Sequence, residues 1–328
     1  MYLIGDVGGT KTNLAVIEEN GEWRDWRFEA AYTSAAFDNL EELLKGYIQE
    51  HGFTIRAACL GVAGPVLDGR ASITNLPWTI TEKGLAQALN IEKVEIINDL
   101  VATARAIPCL DETDVEKLNQ GTAAPGGPIA VLAPGTGLGE AYLTWDGRRY
   151  RTHASEGGHV DFAPATALQW GLLHYLQGKF GHVSYERVCS GMGIANIYQY
   201  LKETGYAEEP PWFAEKLKTR SDPTPLIVEA ALDSALYCEL CRATLYTFCA
   251  ILGAEAGNMA LKLLATGGIY LGGGIPPRIL PLLRSEKFFF SYRDKGRFED
   301  FLDQVPVYVI LNPKAALLGA ASSVLGTE

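Results

Sequence analysis

The run Asp6-Val7-Gly8-Gly9-Thr10-Lys11-Thr12 stands between two apolar stretches, Tyr2-Leu3-Ile4 before it and Leu14 to Ile17 after it. Two β-branched stretches joined by paired glycines predict a hairpin whose turn has no bulky side chain in the way. Such a turn suits a phosphate. Gly8 and Gly9 can take positive φ and let backbone N–H groups converge on an anion, while the Thr10 and Thr12 hydroxyls add donors beside Lys11. Asp6 ends the first strand, where its carboxylate could hold a hydrated Mg²⁺ bridging nucleotide phosphates. An ordinary Gly-rich hairpin with a surface Asp carries the same local pattern, so the rest of the chain must choose between the two.

The arrangement returns later. Ile129 to Ala133 runs into Pro134-Gly135-Thr136-Gly137-Leu138-Gly139 and continues as Ala141-Tyr142-Leu143. Placing Gly9-Thr10 on Gly135-Thr136 superposes the hairpins at a constant offset of 126 residues, as an internal duplication would. Around the first hairpin, strands and helices alternate in the order β-β-β-α-β-α-β-α, which argues for an α/β layered architecture. Asn20-Gly21 turns the chain toward a third strand over Trp23 to Ala30. A helix over Phe37 to His51 carries Leu40, Leu43, Leu44, Tyr47 and Ile48 at helical spacing and ends at Gly52. Strands follow at Ile55 to Val62 and Val94 to Ile97, with a helix at Glu82 to Leu89 between them. The first ends at Gly61-Val62-Ala63-Gly64-Pro65 and the second at Asn98-Asp99. In the second cycle Asp146-Gly147 leads to a strand near Arg149 to Thr152. Helices span Ala165 to Gly178, Gly191 to Glu203 and Leu226 to Leu264, interrupted by a Pro-rich surface loop over Glu208 to Pro225. Thr266 to Gly274 reads as a buried strand between Gly clusters and Pro306 to Leu311 as a last strand. Pro313 to Leu325 reads as an Ala-rich helix that packs back on the first domain.

With 328 residues and 48% apolar composition, the chain can bury substantial cores in two domains. A net charge of -11 offers no basic footprint for nucleic acid or an anionic membrane, so a polyanionic substrate must be met by local donors or metal. The opening residues lack the basic and apolar regions of a signal peptide, and Leu245 to Ala254 falls short of a membrane span; cytoplasmic residence is the expectation. The six cysteines lack the density of a disulfide scaffold. Cys238-x-x-Cys241 has no second pair or His cluster to complete a zinc site and reads as buried reduced thiol.

Taken in order, GDVGGTKT, IINDL, APGTGLG, SEGGHVDF, YERVCSG and IYLGGGI resemble the motifs of the bacterial glucokinases, the hexokinase-like branch of the hexokinase and actin superfamily, over nearly the full chain. The resemblance implies an α/β fold of two ribonuclease-H-like domains, the actin-like ATPase or hexokinase fold, with an interdomain cleft. Its boundaries would be a small α/β domain of residues 1–109 plus 304–328 and a large α/β domain of residues 110–303. It implies phosphorylation of glucose or a related hexose by ATP with Mg²⁺, and a homodimer.

The motifs carry implied roles. Asp99, at the carboxyl end of a buried strand, would accept the proton of the attacking sugar hydroxyl. Asn98 would hydrogen-bond neighbouring hydroxyls, although Asn98-Asp99 would equally cap the following helix. Glu156, His159 and Glu186 match sugar-binding positions, with Gly157 and Gly158 letting backbone approach the ring. A core histidine and a helix-start carboxylate are the plain alternatives for His159 and Glu186. Asn75 and Gly64-Pro65 match sugar-side segments that a turn explains equally well. Gly135, Thr136 and Gly137 would contact the β or γ phosphate. Gly272, Gly273 and Gly274 would let adenosine lie on bare backbone, or simply turn the strand into the helix begun by Pro276-Pro277. Two residues depart from the pattern: Lys11 resembles the related ROK sugar kinases, whose zinc cluster this chain lacks, and Glu140 brings a negative charge to the second turn in either an inward or an outward orientation. The rival readings are a kinase for another hexose or amino sugar and a sugar-sensing regulator of the same fold.

Overall fold

The computed structural model describes residues 1–73, 75–233 and 235–326, so the last two residues of the expected small domain lie outside the described residues. The chain divides into two units: Met1–Asp114, Trp145–Ala154 and Asn312 onward form the first, and Val115–Thr144 with Ser155–Leu311 the second.

The sheet of the first unit grows from the opening hairpin. β1 (Tyr2–Val7) and β2 (Lys11–Ile17) pair antiparallel, and β3 (Arg27–Thr33) extends the edge of β2. β4 (Ala57–Val62) runs parallel to β1. Three short strands, β5 (Val66–Leu67), β6 (Arg70–Ser72) and β7 (Thr79–Thr81), form a separate antiparallel sheet before β8 (Lys93–Asn98) pairs parallel to β4. The order is β3-β2-β1-β4-β8.

Both faces of this sheet are covered, which explains its unbroken apolar runs. Leu3, Leu14, Leu60 and Val94 face Leu40, Leu43, Leu44 and Tyr47 of the helix Leu40–His51 and Leu85 of the helix Glu82–Leu89. Ile4, Ala15, Cys59 and Ile97 face Ala102 of the helix Asp99–Ala106 and Leu317, Ala320 and Ala321 of the helix Ala315–Leu325. The C-terminal helix therefore packs on the first sheet as its sequence leads one to expect. Alternation places Asp6 on the Ile4 face, the face covered by the helix that Asp99 begins.

The second unit repeats the plan. Beyond β9 (Val115–Lys117), β10 (Ile129–Pro134) and β11 (Leu138–Trp145) make the hairpin; the segment Trp145–Ala154, counted with the first unit, holds a turn closed by Asp146 N–H to Arg149 O at 3.0 Å and most of β12 (Tyr150–Ser155). β13 (Gly268–Leu271) and β14 (Val307–Ile310) add in parallel, giving the neighbours β11-β10-β13-β14-β9. Its core gathers on the helix Glu239–Leu263, buried nearly all round, with Gly253 and Gly257 against the backbone carbonyls of Phe288 and Tyr292.

Several expectations are corrected. The constant offset between hairpins breaks at the turn, because Val7 pairs with Thr12 across four residues but Pro134 with Leu138 across three. The segment over Glu208 to Pro225 is not all loop: Pro211, acceptable in a first helical turn, opens the helix Pro211–Leu217, and Thr224 starts another. Leu226 to Leu264 is two helices, Thr224–Leu232 and Glu239–Leu263. The third strand lies later than Trp23 to Ala30, and β5 to β7 are too short for periodicity to expose. The Asp68-Gly69 turn between β5 and β6, with φ of 49° and 69°, was nevertheless a legible hairpin signal.

Gly319 sits so close to the helix Asp99–Ala106 that an added Cβ would overlap the Ala102 carbonyl oxygen. Gly319→Leu is expected to lower unfolding stability by at least about 1–3 kcal/mol, the usual cost of overpacking, as read by urea denaturation. An unchanged midpoint would refute this packing.

Candidate active site

The first turn closes through Gly8 N–H to Lys11 O at 2.9 Å. Neither Gly8 nor Gly9 adopts the positive φ expected of them. The constraint at Gly8 is steric, since a Cβ would stand 3.0 Å from that Lys11 oxygen. Gly8 therefore spends its N–H inside the turn, and the Gly9 and Thr10 N–H groups at the tip donate to no other described residue. Thr10 and Lys11 are exposed. Thr12 is fully buried and shares a 2.9 Å hydrogen bond with Ser34, whose hydroxyl donates to Gly8 O at 2.7 Å. Thr12 and Ser34 thus buttress the turn from below. Only the pairing of β2 with β3 brings Ser34 here, and no sequence signal marked it.

Parallel register aligns Asp6 with Gly61 and Gly61 with Ile97, so the strands carrying Asp6 and Asp99 end together with a glycine between them. Burial raises the Asp6 carboxyl above its usual value, against the Asn13 amide at 3.4 Å and the Lys11 charge, which lower it. Asp99 is pushed up to about 6 by burial, with the Asp6 charge adding to the rise and the Leu100 N–H at 2.8 Å opposing it. Two neighbouring carboxyls short of water suit a hard cation, and Asp6 has the chemistry to hold a hydrated Mg²⁺.

Asn98 does cap the helix: its Oδ1 accepts from Leu100 N–H at 2.9 Å and Val101 N–H at 3.2 Å. Its Nδ2 donates to Gly64 O at 3.0 Å, tying the Gly64-Pro65 loop to the end of β8. The Asn98 side chain also hydrogen-bonds the Asp99 carboxyl and favours its charged form. The cap thereby fixes where Asp99 stands. Asn75 is exposed in the left-handed conformation, with φ of 64°.

In the second unit, Gly135 N–H donates to Gly137 O at 2.8 Å, and Gly135 O accepts from Gly191 N–H at the start of the helix Gly191–Glu203. Thr136 is exposed at the tip, where its N–H and that of Gly137 donate to no other described residue. Glu186 accepts from Leu138 N–H at 3.0 Å and lies where a Cβ on Gly137 would fall, so this carboxylate abuts the turn. Glu156 and His159 reach the same place. Tyr185 N–H to Val160 O at 3.0 Å and Phe162 N–H to Val183 O at 2.9 Å stitch their segment to the one carrying Glu186. His159 Nε2 is 3.9 Å from Glu156 and its Nδ1 4.0 Å from Glu186. With a side chain 60% exposed, His159 is not a core histidine.

Gly272–Gly274 leaves β13 beside the end of β10, with Gly272 N–H on Leu132 O at 2.8 Å. Gly273 has φ of 78° and a Cβ there would meet Pro134 O at 2.6 Å, so only glycine fits. Gly274 faces open space, and Pro276–Ile279 forms a 3₁₀ turn as the second reading anticipated. Glu140 points inward and is 2% exposed. Cys238 and Cys241 are buried free thiols, with sulfurs 3.0 Å apart. No helix among the described residues is long and apolar enough to cross a membrane.

Residues 3–326 match the family model for glucokinase. The chain is 41% identical over 342 residues to a glucokinase of Synechocystis, covering 98% of this chain and 96% of the relative. It resembles the crystal structure of a glucokinase from an Antarctic psychrotroph, with a TM-score of 0.82, 32% identity and coverage of 99% and 98%. A ROK family glucokinase from Streptomyces griseus, in complex with glucose and AMPPNP, shares the fold at a TM-score of 0.63, 20% identity and coverage of 98% and 98%.

Because its folded-state carboxyl lies near 6, Asp99 binds a proton in the native state that it releases in the unfolded one between the ordinary carboxylate value and that point. Stability falls as pH rises through this window and stays lowered above it. Asp99→Asn is expected to be more stable than the parent at pH 8 by about 1–3 kcal/mol, the gain fading toward pH 4. Urea denaturation at both pH values checks this, and equal stability at pH 8 would reject the buried-charge account.

Proposed function

Given that the chain belongs to the glucokinase family and phosphorylates glucose at the expense of ATP, we propose that Asp99 is the general base of that transfer. The observation that carries this reading is a carboxyl held at a helix start by the Asn98 cap, deprived of water and placed beside Asp6. Asp99 takes the proton of the sugar 6-hydroxyl as that oxygen attacks the γ-phosphate of ATP. A base of this kind contributes roughly 10²–10⁴ in rate, and orientation with backbone donors supplies most of the rest.

The two turns present unpaired N–H groups, Gly9 and Thr10 on one and Thr136 and Gly137 on the other, as donors to phosphate oxygens. Asp6 would hold Mg²⁺, which neutralises charge on the transferring phosphoryl group. Lys11, exposed beside the first turn, adds a cation without needing a fixed geometry. Glu156, His159 and Glu186 accept and donate the hydrogen bonds that orient glucose. Adenosine lies on Gly272–Gly274, where Gly274 meets nothing and a side chain at Gly273 could not be tolerated.

A panel of hexoses and N-acetylhexosamines with MgATP tests the substrate, with glucose expected far ahead; preference for an amino sugar would replace this reading by the second one. Asp99→Asn is expected to bind glucose while kcat falls at least about 10²-fold. In the parent, kcat is expected to drop as pH falls through about 6, because the base must be ionised. Near-normal turnover of the variant would remove Asp99 from this role.

A further inference from the structure

Glu140 follows the second turn and stands opposite Leu132 in the hairpin ladder. Its Oε1 has no hydrogen-bond partner among the described residues, and its Oε2 occupies the place a Cβ on Gly157 would need. Gly158 rests as closely on the Leu138 carbonyl. The turn that carries Glu156 and His159 is therefore seated on this buried carboxyl.

The groups that face Glu140 are few. Glu255, on the helix Glu239–Leu263, is fully buried and accepts from Asn258 Nδ2 at 2.8 Å and Lys262 Nζ at 3.4 Å. Lys262 is 55% exposed, and Cys189 is a buried neutral thiol. Beyond Glu255 stand the Tyr185 hydroxyl and Lys295. Both ammonium groups, Lys262 and Lys295, stand at Glu255, which leaves the buried Glu140 carboxyl without an ion pair of its own, so burial favours a proton on it. Glu255 has donors beside its carboxylate, whereas among the described residues none reaches Glu140 Oε1.

We propose that Glu140 is a positioning residue for glucose binding: as a neutral acid it seats the Glu156–His159 turn, and on ionising it unseats that turn. Burial, reinforced by the Glu255 charge and opposed by Lys262, pushes its carboxyl up to about 7, so the change falls within an accessible pH range. The proposal rests on the assignment of Glu156 and His159 to the sugar.

The test is glucose KM and kcat from pH 6 to 8.5 for the parent, Glu140→Gln and Glu140→Ala, with glucose binding followed by calorimetry. The seated fraction of the parent falls to roughly a tenth at pH 8, so its KM is expected to rise about tenfold there, with kcat changing much less. Glu140→Gln, permanently neutral and of the same shape, is expected to show a level KM; Glu140→Ala is expected to bind weakly at every pH without the step. A step that persists in Glu140→Gln, or a parent KM that stays flat to pH 8.5, would overturn the proposal. Should Glu140→Ala not fold, the comparison of parent with Glu140→Gln decides alone. A parent that phosphorylates glucose at pH 6 while Glu156→Ala and His159→Ala bind it normally would instead overturn the sugar-site assignment, and this proposal with it.

Discussion

Covering both faces of the first sheet leaves polar groups on its central strands only one way out, the strand ends. Leu3 and Ile4 are both fully buried although they point to opposite faces, and the same holds for Cys59 and Leu60. A carboxylate in the middle of β1 or β4 would therefore be sealed from solvent, whereas Glu95 on the edge strand β8 stays part-exposed beside Arg105. Asp6 and Asp99 escape that penalty by standing where the strands stop, and they remain short enough of water for burial to raise both carboxyls. Reactivity and instability have one origin here, because the environment that makes Asp99 a better proton acceptor also makes its charge expensive.

Close approach is the second organising device. Gly273 against Pro134, Gly137 against Glu186, Gly157 against Glu140 and Gly158 against Leu138 each replace a side chain with a contact between segments distant in sequence. Together they draw the second turn, the segment bearing Glu156 and His159, and Glu186 into one layer of the second unit. The first turn is supported differently, by buried hydroxyls of Thr12 and Ser34 rather than by missing side chains. The two hairpins thus reach a similar end, a tip with unspent N–H groups, through loops of different length.

Much of this was legible in order along the chain. The Gly-Gly-Thr and Gly-Thr-Gly turns, the strand before Asn98-Asp99 and the C-terminal helix all rest on local pattern, which short-range physics governs. Less legible were elements whose stability is borrowed from elsewhere: β5 to β7 are two or three residues long, and the helix Pro211–Leu217 depends on burying Phe213. Ser34 and Asn13 carry no motif, and their place beside Thr12 and Asp6 follows from strand pairing alone.

The sequence by itself determined the hairpin turns, the order of strands and helices, and the identity of the groups available to phosphate, sugar and metal, because these depend on neighbours within a few residues. Tertiary structure decided the rest. It turned Thr12 inward to Ser34, made Asn98 a cap and a tether to Gly64, brought His159 out to Glu156 and Glu186, and buried Glu140 beneath Gly157 beside Glu255. Orientation, burial and the resulting proton affinities are properties of packing across distant segments, and no local pattern of residues contains them.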